Sequence, residues 1–145
     1  MKPIEFFTKE EKEKIAASIR EAENTTSGEV RVHLEKGCKE DVMDRAAHIF
    51  EKLEMHKTEL RNGVLFYLAI EDQKFAILGD AGINAVTPET FWDDIKAKML
   101  QHFKNGRFAD GLVEGIKMSG EALKKHFPHQ KDDVNELSDD ISYGQ

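Results

Sequence analysis

Asp80 stands between two glycines in Gly79-Asp80-Ala81-Gly82, directly after the apolar run Lys74 to Leu78. A carboxylate at such a corner is the kind of group that ligates a hard cation, calcium or magnesium, or takes part in metal-assisted hydrolysis. The plainer reading has the glycines turn the chain while Asp80 bonds local backbone in an Asx-type turn. A nucleotide cradle is excluded: neither G-x-G-x-x-G nor a Walker loop occurs, and Ile83 to Val86 separate the corner from the helix start expected at Thr87-Pro88. Two further groups have the right chemistry. Glu29 and Arg31, at i and i+2, share one strand face and form either a ligand-flanking pair or a cross-strand charge pair. Arg61-Asn62 precedes the most apolar run of the chain, and an arginine there has the fork geometry that holds phosphate.

The other reactive residue types form no recognisable set. Pro128 lies between His126 and His129, which spoils a helical ligand face, and His48 and His56 are two turns apart at one helix end. Cys38 follows Gly37 in a polar loop with no His nearby in sequence, and no G-x-S-x-G elbow occurs. "DDVNELSDD" near the C-terminus lacks the central glycine and the spacing of a calcium-binding EF-hand loop.

What must position these residues is one small domain. The chain has 145 residues, 39% hydrophobic, with nine Phe and one Trp, enough for a single core. A formal net charge of -7 argues against nucleic acid or an anionic membrane as partner. One cysteine excludes an internal disulfide. No run approaches the ~20 apolar residues that span a bilayer, and the N-terminus lacks a secretory pattern. A cytoplasmic protein without membrane insertion is expected.

Thr8 with Glu11 makes a capping box, and Ile15, Ala16, Ile19 and Ala22 predict a helix from about Lys9 to Glu23. "GEVRVHLE" alternates strictly, which predicts a strand with Val30, Val32 and Leu34 inward and Glu29, Arg31, His33 and Glu35 on a solvated side. Val42, Met43, Ala46, Ala47, Phe50 and Leu53 trace a helix from about Asp41 to Met55. Asn62 to Ile70 reads as a central strand covered on both faces, so the unit is a right-handed parallel crossover. Glu71 to Gln73 allow only a hairpin into the next strand. Two helices follow, one from Thr87-Pro88 to Asn105-Gly106 and one ending near His126 before Pro128. The expected division is a single domain over residues 1–129 and an acidic tail or arm over 130–145.

The stretches "SGEVRVHLE", "RNGVLFYLAIEDQKFAILGDAGIN", "FWDDI" and "HFKNGRFADGLVEGI" resemble the TPM domain family, which includes thylakoid-lumen photosystem repair proteins and many bacterial proteins of unknown role. The resemblance implies an α/β fold, a Rossmann-like α/β/α sandwich with a small mixed sheet of about three or four strands and about four helices. For some relatives it implies phosphatase activity or divalent-metal binding at acidic residues near strand ends. The family's aspartate-asparagine-glycine before the central strand is Arg61-Asn62-Gly63 here, which places a cation where a metal-binding relative has an anion. Many relatives carry a signal peptide and an anchor or glycine-rich tail, so this chain resembles a free-standing cytoplasmic version.

Two functions follow as expectations. The first is a non-enzymatic protein-interaction or complex-maintenance module using Glu29, Arg31, Asn62 and the acidic tail, with another protein as partner. The second is a phosphomonoesterase in which Asp80 binds a divalent cation and Arg31 or Arg61 holds phosphate.

Overall fold

A computed structural model describes residues 2–129 and 140–144. The first helix, α1 (Lys9–Glu23), begins at the expected capping box: Thr8 accepts from the Glu11 N–H, and Glu11 accepts from that of Thr8. Its Ile15 and Ile19 are fully buried. Then come β1 (Glu29–Glu35), α2 (Val42–Lys52), a 3-10 turn at Met55–Lys57, β2 (Gly63–Ala69) and β3 (Lys74–Gly79). The chain continues through a single helical turn α3 (Ala81–Asn84), α4 (Phe91–Lys104), α5 (Phe108–His126) and a short β4 (Ser142–Tyr143).

The sheet order is β3-β2-β1-β4. β1 and β2 run parallel with Glu29 opposite Gly63 and Glu35 opposite Ala69, and β3 returns antiparallel to β2 as a hairpin. The crossover and hairpin are as the sequence predicts. β4 adds a parallel edge, with His33 opposite Ser142 and Leu34 opposite Tyr143. The end of the expected arm is therefore a strand on the sheet; the part of it at 130–139 lies outside the described residues.

Two cores flank this sheet. Val30, Val32, Leu34, Val64, Phe66, Leu68 and Ile77 face a layer built from α1, α4 and α5. Leu65, Tyr67, Ala69 and Ala76 face Ala46, Ile49 and Phe50 of α2. Both faces of β2 are thus covered, which is why Gly63–Ala69 is buried throughout and reads as continuous apolar sequence. Close packing of α5 depends on small residues: a Cβ at Gly115 would meet Met99 Sδ at 2.6 Å and Phe66 Cε1 at 2.9 Å.

Three local expectations need correction. The Glu29-to-Glu35 face is not solvated; Glu29, His33 and Glu35 are 2%, 4% and 3% exposed. The glycines around Asp80 are not turn glycines, since neither has positive φ. They permit contact instead: a Cβ on Gly82 would fall 2.6 Å from the Arg61 carbonyl oxygen and closer still to that of Leu60, and one on Gly79 would strike the Trp92 ring. Finally, Thr87-Pro88 does not start a helix. The Thr87 hydroxyl donates back to the Ile83 carbonyl at 3.0 Å and so closes α3, while α4 begins at Phe91.

Gly82→Ala should therefore cost about 2–3 kcal/mol, because two backbone carbonyls must move to admit the methyl. Gly106→Ala should cost about 1 kcal/mol, since its φ of 73° disfavours a side chain although the space beside it is open. Urea unfolding of both variants measures the difference.

Candidate functional site

Asp80 leads directly into α3 and caps it, accepting from the Ala81 N–H at 2.8 Å. The same carboxylate is held by Arg61, whose Nε donates to Oδ2 at 2.7 Å and whose Nη2 donates to Oδ1 at 2.8 Å. Arg61 reaches it because its backbone is left-handed, φ 52°, an uncommon conformation for a non-glycine residue. Its carbonyl accepts from the Gly82 N–H at 2.8 Å, the contact for which Gly82 must lack a side chain. Asp80 is 7% exposed, while half of the Arg61 side chain is in solvent.

This arrangement does not fit a cation at Asp80. A hard cation gathers several oxygen donors, whereas here a guanidinium fork engages both carboxylate oxygens. No group of three or more His, Cys, Asp or Glu able to hold a metal occurs among the described residues.

The other expected residues lie nearby but have different surroundings. Asn62 is buried, and its amide donates to Ser27 Oγ at 3.3 Å while its carbonyl accepts from the Glu29 N–H at 3.4 Å. It ties the start of β1 to the start of β2. Arg31 is half-buried; burial lowers its pKa, and the charges of Asp140 and Glu23 oppose that shift. Glu29 and Arg31 share a face as expected, but that face is covered, with Glu29 buried and Arg31 half-buried.

The carboxyl end of β1 holds a second buried carboxylate, one that sequence reasoning did not single out. Glu35 receives Arg45 Nε at 2.8 Å on Oε1 and Arg45 Nη2 at 2.7 Å on Oε2. The Tyr67 hydroxyl donates to Oε1 at 2.6 Å. His33 Nε2 lies 3.4 Å from Oε2, its ring stacked on Tyr67 with centroids 6.0 Å apart, and Nδ1 is 2.9 Å from Ser142 Oγ. An Nε2–H tautomer directed at Glu35 leaves Nδ1 to accept from the serine. The signals were present: alternation puts positions 33 and 35 on one face, and parallel register puts Tyr67 beside His33.

Burial alone would raise the Glu35 pKa, but the Arg45 fork and the Tyr67 hydroxyl outweigh it and hold the carboxyl at about 2 against an ordinary 4.5. Burial, followed by the hydrogen bond to Glu35 and then its charge, raises the Tyr67 phenol well above its usual range. Burial lowers His33 despite the pull of Glu35, so the imidazole is neutral at pH 7. Beside this cluster an open pocket of about 320 Å³ is lined by Glu35, Arg45 and the loop Gly37 to Glu40. Open α/β sheets bind ligands at this end. The Cys38 thiol in that loop donates to the Glu40 carbonyl at 3.3 Å, and its backbone N–H donates to Asp72. These bonds anchor the loop and pair no base with the sulfur.

The sign of the pH dependence follows. Glu35 has a depressed native pKa, so its contribution, about 3 kcal/mol, is present above pH 4.5 and lost as pH falls towards 2. His33 is also depressed, so protonation of the unfolded chain below 6.5 draws stability down in the same direction. Tyr67→Phe should cost about 1–2 kcal/mol near neutral pH, and the penalty should shrink as pH falls towards the native Glu35 pKa of about 2, since the lost bond favours the ionised carboxylate. Urea unfolding at several pH values measures this.

Against known proteins, the chain aligns with solved structures along nearly its whole length. The BA42 protein of the psychrophilic bacterium Bizionia argentinensis is 51% identical, with 97% of each chain covered and a TM-score of 0.90. The N-terminal domain of a P. gingivalis protein is 19% identical over 87% of this chain and 83% of that one, TM-score 0.71. The N-terminal domain of cg2496 from Corynebacterium glutamicum is 13% identical over 81% and 74%, TM-score 0.65. These last two show the shared fold alone. No curated protein matches the chain, and no helix among the described residues is long and apolar enough to cross a membrane. The TPM domain family model matches residues 2–122, so the chain belongs to the TPM domain family.

Proposed function

We propose that this TPM domain is a non-catalytic module that binds another protein through its Arg61 end. The observation that carries this reading is that both strand-end carboxylates are engaged by arginine forks, Asp80 by Arg61 and Glu35 by Arg45. Each pair closes a corner of the fold and leaves its carboxylate poorly placed to bind a metal or move a proton. Arg61 remains half exposed, and the exposed Leu60 and Val86, 45% and 41%, sit on the two segments that the Arg61–Asp80 pair joins. An exposed arginine next to an exposed apolar residue, here Leu60, is a common composition for the energetic centre of a protein interface. The burial of Glu29 favours this end over the β1 polar face as the contact surface. The free, buried thiol of Cys38 suits a reducing compartment such as the cytoplasm.

The competing reading is a divalent-metal-dependent phosphomonoesterase, which requires Asp80 to leave Arg61 and take up calcium or magnesium. Purified protein incubated with p-nitrophenyl phosphate and either cation should release no more phosphate than its Asp80→Asn variant. Metal-dependent release that Asp80→Asn abolishes would establish the esterase instead. For the module, a copurifying protein should be lost from Leu60→Asp and Val86→Asp variants whose unfolding midpoints are unchanged. Equal retention by both variants would remove the Arg61 end as the contact surface.

A further inference from the structure

Along the edge of β1 that β2 leaves open lies a short piece of the chain's own C-terminal region. Among the described residues β4 pairs with His33 and Leu34, whereas β2 pairs with every residue from Glu29 to Glu35. A further backbone bond runs from the Gly144 N–H to the Leu34 carbonyl at 2.8 Å. Ile141 to Gly144 are all half-exposed, while β1 itself is buried at every position except Arg31. The family match ends at residue 122, so this edge strand is an addition to the matched domain.

Short as it is, the segment is matched position by position. On one face, Ser142 Oγ lies 2.9 Å from His33 Nδ1, and parallel register carried two residues back puts Asp140 beside Arg31, whose guanidinium feels the Asp140 charge. Two residues forward, Gly144 falls beside Glu35. A Cβ there would overlap Glu35 Oε2 and come 2.7 Å from Cγ, so no side chain fits. On the other face Ile141 and Tyr143 pack on the larger core, and Lys12 Nζ of α1 lies 5.8 Å from the Tyr143 ring centroid. Arg31, His33 and Glu35 therefore select in turn an acid, a hydroxyl and a glycine. Behind this stretch the Glu23 carboxylate accepts from the Val30 N–H at 2.9 Å, which limits how far an added strand extends along the edge.

We propose that the β1 edge is a strand-binding site for another protein, whose extended segment reads acidic, aliphatic, serine, aromatic, glycine and adds parallel to β1. β4 is the chain's own copy of that ligand, seated in cis. An open strand edge is a template for pairing, and in strand addition the backbone bonds supply affinity while alternate side chains supply specificity. Two ladder positions and half-exposed side chains make β4 the least anchored strand of the sheet, and its release opens the edge. This contact surface involves neither Arg61 nor Leu60, and it stands whether or not the Arg61 end binds a partner.

The test uses two full-length variants that weaken the resident strand, Tyr143→Ala, which removes its core anchor, and Gly144→Ala, which sets a methyl against Glu35. Each is titrated with a blocked peptide of residues 140–144, and with peptides carrying Ser142→Ala or Gly144→Ala, followed by residue-resolved amide shifts. Saturable shifts from the unaltered peptide should appear at Val32, His33, Leu34 and Glu35 in both variants. The Ser142→Ala peptide should bind about fivefold more weakly, and the Gly144→Ala peptide should give no saturable shift. The native chain, its edge occupied, should bind the unaltered peptide at least about tenfold more weakly than either variant. Three results would each overturn the assignment: no saturable shift at these residues in either variant, equal affinity for all three peptides, or equal affinity of native and variant chains. Shifts at the same residues on concentrating the native chain alone would make the occupant a second copy of this chain and overturn the assignment to another protein.

Discussion

Glu35 is an ionised carboxylate at 3% exposure, and much of the structure on one side of the sheet is arranged to keep it so. A buried charge is costly unless it is paired and its lone pairs are filled. Arg45 supplies the pairing from the second turn of α2, and Tyr67 supplies a hydroxyl from the neighbouring strand. Satisfying that one group therefore constrains where α2 lies over the sheet, which way Tyr67 points, and how His33 is oriented between them. Removing a partner would leave a charge in the interior, a larger loss than the bond itself is worth.

The same solution occurs at the opposite end of the parallel pair. Asp80 is nearly as buried as Glu35, and Arg61 grips it with similar geometry. The settings differ in one respect that bears on function. Arg45 is the more buried arginine, with a side chain 29% exposed, while that of Arg61 is 51% exposed and reached through a left-handed backbone. A strained, half-solvated arginine is a better candidate for contact with a partner than one committed to the interior.

Much of this fold was legible because its signals are local. The capping box at Thr8 and Glu11 places α1, the alternation of Val30, Val32 and Leu34 places β1, and the unbroken apolar run places β2 between two layers. The TPM resemblance rests on these same stretches. Errors arose where a distant group intervened. Thr87-Pro88 has the composition of a helix start, but the Thr87 hydroxyl closes α3 and Trp92 packs against Gly79, so the helix begins later. Glu35 read as a solvated residue because its partners are ten and thirty-two positions away.

The sequence by itself determined the element types, the parallel crossover and the antiparallel hairpin, because periodicity, capping and loop length act over a few residues. It also supplied Asp80 and Arg61 as separate candidates. Only the tertiary structure decided that they neutralise one another, that the polar row of β1 is buried, and that Ser142 and Tyr143 complete the sheet. Whether a charged side chain is a solvated group, a structural partner or a ligand depends on what packs against it. In this chain those neighbours come from other elements, and periodicity carries no record of them.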